Sequence, residues 1–135
     1  MSDGYHDVLA FHYKYDVRTS LVDKPHIPAR DVLDFRRKFL QEELDEFQLA
    51  YTSVDIEKSL DALIDLVYVA YGTAILMGIS PRCWQECWDE VQRANMTKMR
   101  APTAGDSKRG HELDVVKPEG WRPPTFSEIL RKHGE

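Results

Sequence analysis

Cysteine is scarce in this chain: Cys83 and Cys87 are the only two in 135 residues. They stand four apart, without the C-x-x-C spacing of zinc and redox sites, and a chain of this length buries a core without disulfides. Both thiols are expected reduced and packed, which points to the cytoplasm. A long apolar run is also missing. The most apolar stretch, Leu66 to Ile79, is uncharged for 14 residues, short of the ~20 of a membrane span, so a buried helix is expected and no membrane partner. The start, MSDGYHDVLAF, lacks the basic region, apolar run and small-residue cleavage site of a secretory signal. Basic excess is absent too, since the formal net charge is −5. Residues 1–97 carry a net −7 and residues 98–135 a net +2, and an acidic body with a basic tail disfavours a nucleic-acid polymer as partner. Repeats, low-complexity tracts and strand-like alternation are lacking as well, which leaves one all-α domain over residues 1–135.

What is present is helical periodicity. Val8, Phe11 and Tyr15 step by three and four from about Gly4 to Asp16, and the turn-rich DKPHIP then breaks the chain. A long helix is expected from about Arg30 to Thr52 and a third from about Asp55 to Met77, with Gly78 as a left-handed stop. Ser80-Pro81 opens a fourth, reaching about Met99. Short connections make these an antiparallel four-helix bundle with its core over about 4–99. Residues 100–135 form a long loop and tail, rich in Gly, Pro and charge, with Thr125 to Glu128 as a capping box for a short last helix through Lys132.

The chemistry lies in where the acids fall. At ~100° per residue, Val32, Phe35, Phe39, Leu40, Leu44, Phe47 and Ala50 share one arc of the second helix, and Glu43 and Glu46 fall inside it with Glu42 at its edge. On the third helix Asp61 and Asp65 stand one turn apart on one face. On the fourth, the stripe Trp84, Cys87, Trp88, Val91 runs on into Asn95 and Lys98. Carboxylates converging at ~5 Å repel by roughly 3 kcal/mol per pair at an effective dielectric near 20, so positive charge has to sit among them. Arg36, Lys58 and Lys98 would supply it in an internal ion-pair network, but buried pairs gain little stability and the acids outnumber these cations. A divalent metal is the stronger reading. No glutamate has a histidine three residues later, which removes the di-iron pattern. Oxygen donors alone favour Mg²⁺, with Mn²⁺ as a substitute, and a phosphate-bearing ligand.

The motif EELDE (Glu42, Glu43, Glu46), followed by DALIDLVYVAYGTA, resembles the EExxE and ExxD motifs of the all-α nucleoside triphosphate pyrophosphatase superfamily. FHYKY at 11–15, NMTKM at 95–99 and KPEGWRPP at 117–124 are similar to its MazG-like branch, which also includes phosphoribosyl-ATP pyrophosphohydrolase-like proteins. The second motif departs: Ala62 stands where the family has glutamate, and Asp61 lies four before Asp65.

The resemblance implies a helical bundle, homodimeric or homotetrameric, that hydrolyses a nucleoside triphosphate to monophosphate and pyrophosphate with Mg²⁺ in nucleotide-pool house-cleaning. Carried over, Glu43, Glu46 and Asp65 are metal ligands, Asp61 is the fourth, and Glu42 orients or deprotonates the attacking water. Asn95 and Lys98 match the family's N-x-x-K pair. Arg109, Lys117 and Arg122 are candidate phosphate contacts in the loop, and His12 and Trp121 candidate base-stacking rings. The rival class is a non-catalytic helical dimerisation or nucleotide-sensing module of the same fold.

Overall fold

The computed structural model describes residues 3–17 and 24–134; Asp23, where the expected break begins, lies outside them. The expected all-α class is found, with four long helices and one pair of two-residue strands. The chain divides into two compact units, Met1–Pro81 with Gly134–Glu135, and Arg82–His133. The fourth helix falls in the second of these units.

Unit one holds α1 (Gly4–Tyr15), α2 (Arg30–Thr52) and α3 (Ile56–Leu76). Asp3 caps α1 by accepting from the His6 N–H at 2.9 Å, and Asp55 caps α3 by accepting from the Lys58 N–H at 3.0 Å. α2 packs mainly on α3, and α1 on α3. Arg36 meets Val69 and Thr73 while Glu43, further along α2, meets Asp65, earlier in α3. The two helices are therefore antiparallel, as the three-residue connection requires. α3 is long and apolar enough to cross a membrane by length and composition alone.

The buried face of α2 is narrower than the expected arc. Arg36, Glu43 and Ala50, spaced by seven, are buried, whereas Phe35 and Leu44 remain 58% and 47% exposed. A broad apolar arc exceeds what one antiparallel neighbour covers. At the far end of α3, Gly78 has φ +77°, and a Cβ there would lie 2.1 Å from the Lys24 carbonyl oxygen, so the helix stops where residue 24 passes.

Unit two begins with α4 (Pro81–Asn95). It ends four residues before the expected Met99, because its last carbonyls find other donors: the Thr97 hydroxyl (2.7 Å) and the Trp121 indole N–H (2.8 Å) both donate to the Ala94 carbonyl. Met99–Arg100 (β1) then pairs antiparallel with Val115–Val116 (β2), a ladder too short to show alternation in sequence. The expected Thr125 capping box does not form. Thr125 N–H donates to Glu90 instead, at 3.2 Å, and α5 (Ser127–Lys132) starts at Phe126 without a side-chain cap. A capping box forms between Thr103 and Asp106 around the 3-10 turn Ala104–Asp106. The loop is thus internally tied.

Candidate metal centre

Because α2 buries every seventh residue against α3, the sequence puts Glu43 in the position of a core residue. It is 7% exposed, and its Oε2 is buried with no hydrogen-bond partner. Glu46, one turn on and exposed, and Asp65, half-buried on α3, each bring a carboxylate oxygen so that the three oxygens lie within 4.8 Å of one another. Burial, then the charges of Glu46 and Asp65, push the Glu43 carboxyl up to about 7. Burial, then Asp61, pushes Asp65 upward as well.

The ion-pair alternative requires a cation at this cluster. Among the described residues of unit one, no Lys or Arg nitrogen lies within 4 Å of these three carboxylates. Arg36 is buried but turned to α3, donating to the Val69 carbonyl (2.9 Å) and the Thr73 hydroxyl (3.1 Å), with its guanidinium carbon 5.7 and 5.4 Å from the ring centroids of Phe35 and Phe39. Three carboxylate donors, one of them from a residue with an orphaned buried oxygen, fit a hard divalent cation that keeps further positions for water and phosphate.

Beside Glu46 opens a cavity of about 440 Å³, lined also by Ser53, Asp55, Lys58, Asp61 and Ala62. Asp61 is exposed and lies outside the close trio, but faces the same cavity as Glu46. Glu42 is exposed on the outer side of α2, lining a shallow hollow with Arg37, Lys38 and Glu46.

His12, expected to stack on a base, is 3% exposed, its Nε2 2.7 Å from where a Cβ on Gly72 would be. Its ring is core and offers no open face. In unit two, Asn95 is exposed at the end of α4. Lys98 and Lys117 lie over the Trp121 ring, 5.3 and 5.0 Å from its centroid. Arg109 is paired with Asp114, and Arg122 is exposed, with its carbonyl accepting from Arg93.

A family model for phosphoribosyl-ATP pyrophosphohydrolase matches residues 12–95, well over half of the chain. The chain belongs to that family. No curated protein matches it. Within the MazG-like superfamily, members of this family are pyrophosphohydrolases of nucleotide phosphoanhydride bonds, of the divalent-metal-dependent type.

In this phosphoribosyl-ATP pyrophosphohydrolase family member the matched stretch includes the whole acidic trio and the cavity beside it; Lys98, Arg109, Lys117 and Arg122 lie beyond its end. Ala62, at the motif's glutamate position, is 3% exposed and lines the cavity with Asp61. Two features escaped the sequence pattern. Lys58, weighed only as an ion-pair partner of Asp61, faces the cavity. Lys108 joins a second cavity in unit two, and nothing in a charge-rich loop distinguishes it from a solvated lysine.

Proposed function

We propose that this chain hydrolyses a nucleoside triphosphate to the monophosphate and pyrophosphate, as a house-cleaning enzyme of the cytoplasmic nucleotide pool. The observation that carries the reading is Glu43: a buried carboxylate with an orphaned oxygen, crowded by Glu46 and Asp65 and given no cation by its own unit. Such an arrangement costs stability, and sites that cost stability are where function concentrates.

Glu43, Glu46 and Asp65 would hold Mg²⁺, or Mn²⁺ in its place, with Asp61, which lines the same cavity as Glu46, the candidate fourth carboxylate. When bound, the ion supplies neutralisation of phosphate oxygens and a more acidic water. Glu42 orients the attacking water and accepts its proton at a carboxylate oxygen, as the water oxygen bonds to the α-phosphorus and pyrophosphate departs with the bridging oxygen. Asn95 and Lys98 would contact nucleotide and phosphate, with Lys117 and Arg122 as further cations of the loop, Arg109 being engaged by Asp114. Exposed Leu60, Leu63, Ile64 and Val67 on α3 support a homodimer or homotetramer.

The test is pyrophosphate release from a panel of intact and damaged nucleoside triphosphates together with phosphoribosyl-ATP. Glu46→Gln should lose roughly tenfold or more; equal rates in parent and variant would remove this site. Melting with and without Mg²⁺ separates the rival: a non-catalytic module that pairs its own charges gains no midpoint on adding the ion.

A further inference from the structure

The antiparallel register of the short ladder pairs Met99 with Val116 and Arg100 with Val115. The next opposed positions are Lys98 and Lys117. Like charges directly opposite across a strand pair are destabilising, yet here both lysines are drawn over one indole, itself anchored by the Trp121 N–H to the Ala94 carbonyl. The ring attracts both cations without neutralising either.

These lysines border a cavity of about 380 Å³ with Lys108, Arg109 and Asp106. The acids nearby are already engaged. Asp114 takes Arg109, the Ser107 hydroxyl (2.6 Å) and the Val115 N–H (2.9 Å), contacts that hold its carboxyl well below the usual range. Asp106 Oδ2 accepts from the Thr103 N–H (3.2 Å) and hydroxyl (2.8 Å). Among the described residues of unit two, no carboxylate lies within 4 Å of Lys98, Lys108 or Lys117. Lys98, Lys108 and Lys117 therefore line a cavity whose lining includes one acid, Asp106.

We propose that this cavity is an anion site for a pyrophosphoryl group, bound by Lys108 and Lys117 with Lys98 opposite. The choice of pyrophosphoryl among anions rests on the function proposed above; the surplus of cations does not. A pyrophosphoryl group comes either as the tail of the substrate or as free pyrophosphate. Arg109, bound to Asp114, braces the loop and leaves the anion to the lysines.

The full chain, in chelator, is titrated calorimetrically with inorganic pyrophosphate. Saturable binding that weakens with added salt is expected. Lys108→Gln and Lys117→Gln should each weaken it by roughly tenfold, while Arg131→Gln, a cation of the same unit outside the cavity, should not. A KM for the hydrolysed nucleotide that rises in step in the two lysine variants, with kcat held, assigns the site to the substrate's tail. An unchanged KM with loss of inhibition by pyrophosphate assigns it to the free anion. Absence of saturable binding, or equal affinity in parent and the double variant, overturns the proposal. Because the titration needs no turnover, the two readings fail separately: binding in a chain that hydrolyses nothing sinks the reaction alone, and hydrolysis without pyrophosphate binding sinks the site alone.

Discussion

Glu43 and Arg36 sit two turns apart on the same buried stripe of α2, yet their charges are handled in opposite ways. Arg36 is satisfied by a backbone carbonyl, a hydroxyl and two aromatic rings, whereas Glu43 is left with an orphaned oxygen among like charges. Glu43→Gln keeps the shape and removes the charge. At pH 8 without metal it should melt several degrees above the parent, since each like-charge contact is worth on the order of 1 kcal/mol or more. It should also lose the midpoint rise on adding Mg²⁺, which differential scanning calorimetry with and without the ion would show. Gly72 is the counterpart at the Arg36 end. A Cβ there would lie 2.6 Å from Arg36 Nη2 and 2.7 Å from His12 Nε2. Alanine gains about 1 kcal/mol in helix propensity, but overpacking costs about 1–3 kcal/mol. With the guanidinium pinned by two hydrogen bonds, Gly72→Ala should be destabilised by about 1 kcal/mol in urea titration.

Elements here are placed by their ends as much as by their faces. The α2–α3 hairpin was legible because Asp55 caps α3 and the apolar steps persist for many turns on both sides. The end of α4 was not, since the groups that close it come from Thr97 and from Trp121, 27 residues away from Ala94. α5 shows the same dependence on distant partners. Glu86 on α4 accepts from Lys132 at 2.7 Å and meets His133 at 2.9 Å. These hydrogen bonds, that of Lys132 first, hold its carboxyl down to about 2. An unfolded glutamate titrates near 4.5, so between the two values the unfolded chain binds more protons. The stabilisation is therefore complete above about pH 4.5 and is lost as pH falls toward 2. Glu86→Gln should melt below the parent at pH 6, and the gap should close at pH 2 in a series of thermal melts.

On the scale of the molecule, the apolar surface of α3 exceeds what unit one covers. Leu60, Leu63, Ile64 and Val67 recur at three- and four-residue steps and are 41–56% exposed, a stripe suited to helix–helix packing between copies. A single-chain mass of 15.7 kDa should therefore appear doubled or quadrupled in light scattering. Replacing Ile64 and Val67 together by glutamate should return it toward the monomer value, because an unpaired charge in an apolar interface is costly.

The helical class, the α2–α3 hairpin and the inward set of Glu43 follow from periodicity, because spacing along a helix dictates which residues share a face whatever the helix later packs against. Spacing does not dictate distance. That Asp65 joins Glu43 and Glu46 while Asp61 turns to the cavity, that Arg36 anchors to α3 and leaves the acids alone, and that Lys98, Lys108 and Lys117 gather at one cavity were decided by tertiary structure. Those outcomes depend on the register between helices and on loop closures, which are set by packing and hydrogen bonds between residues far apart in the chain.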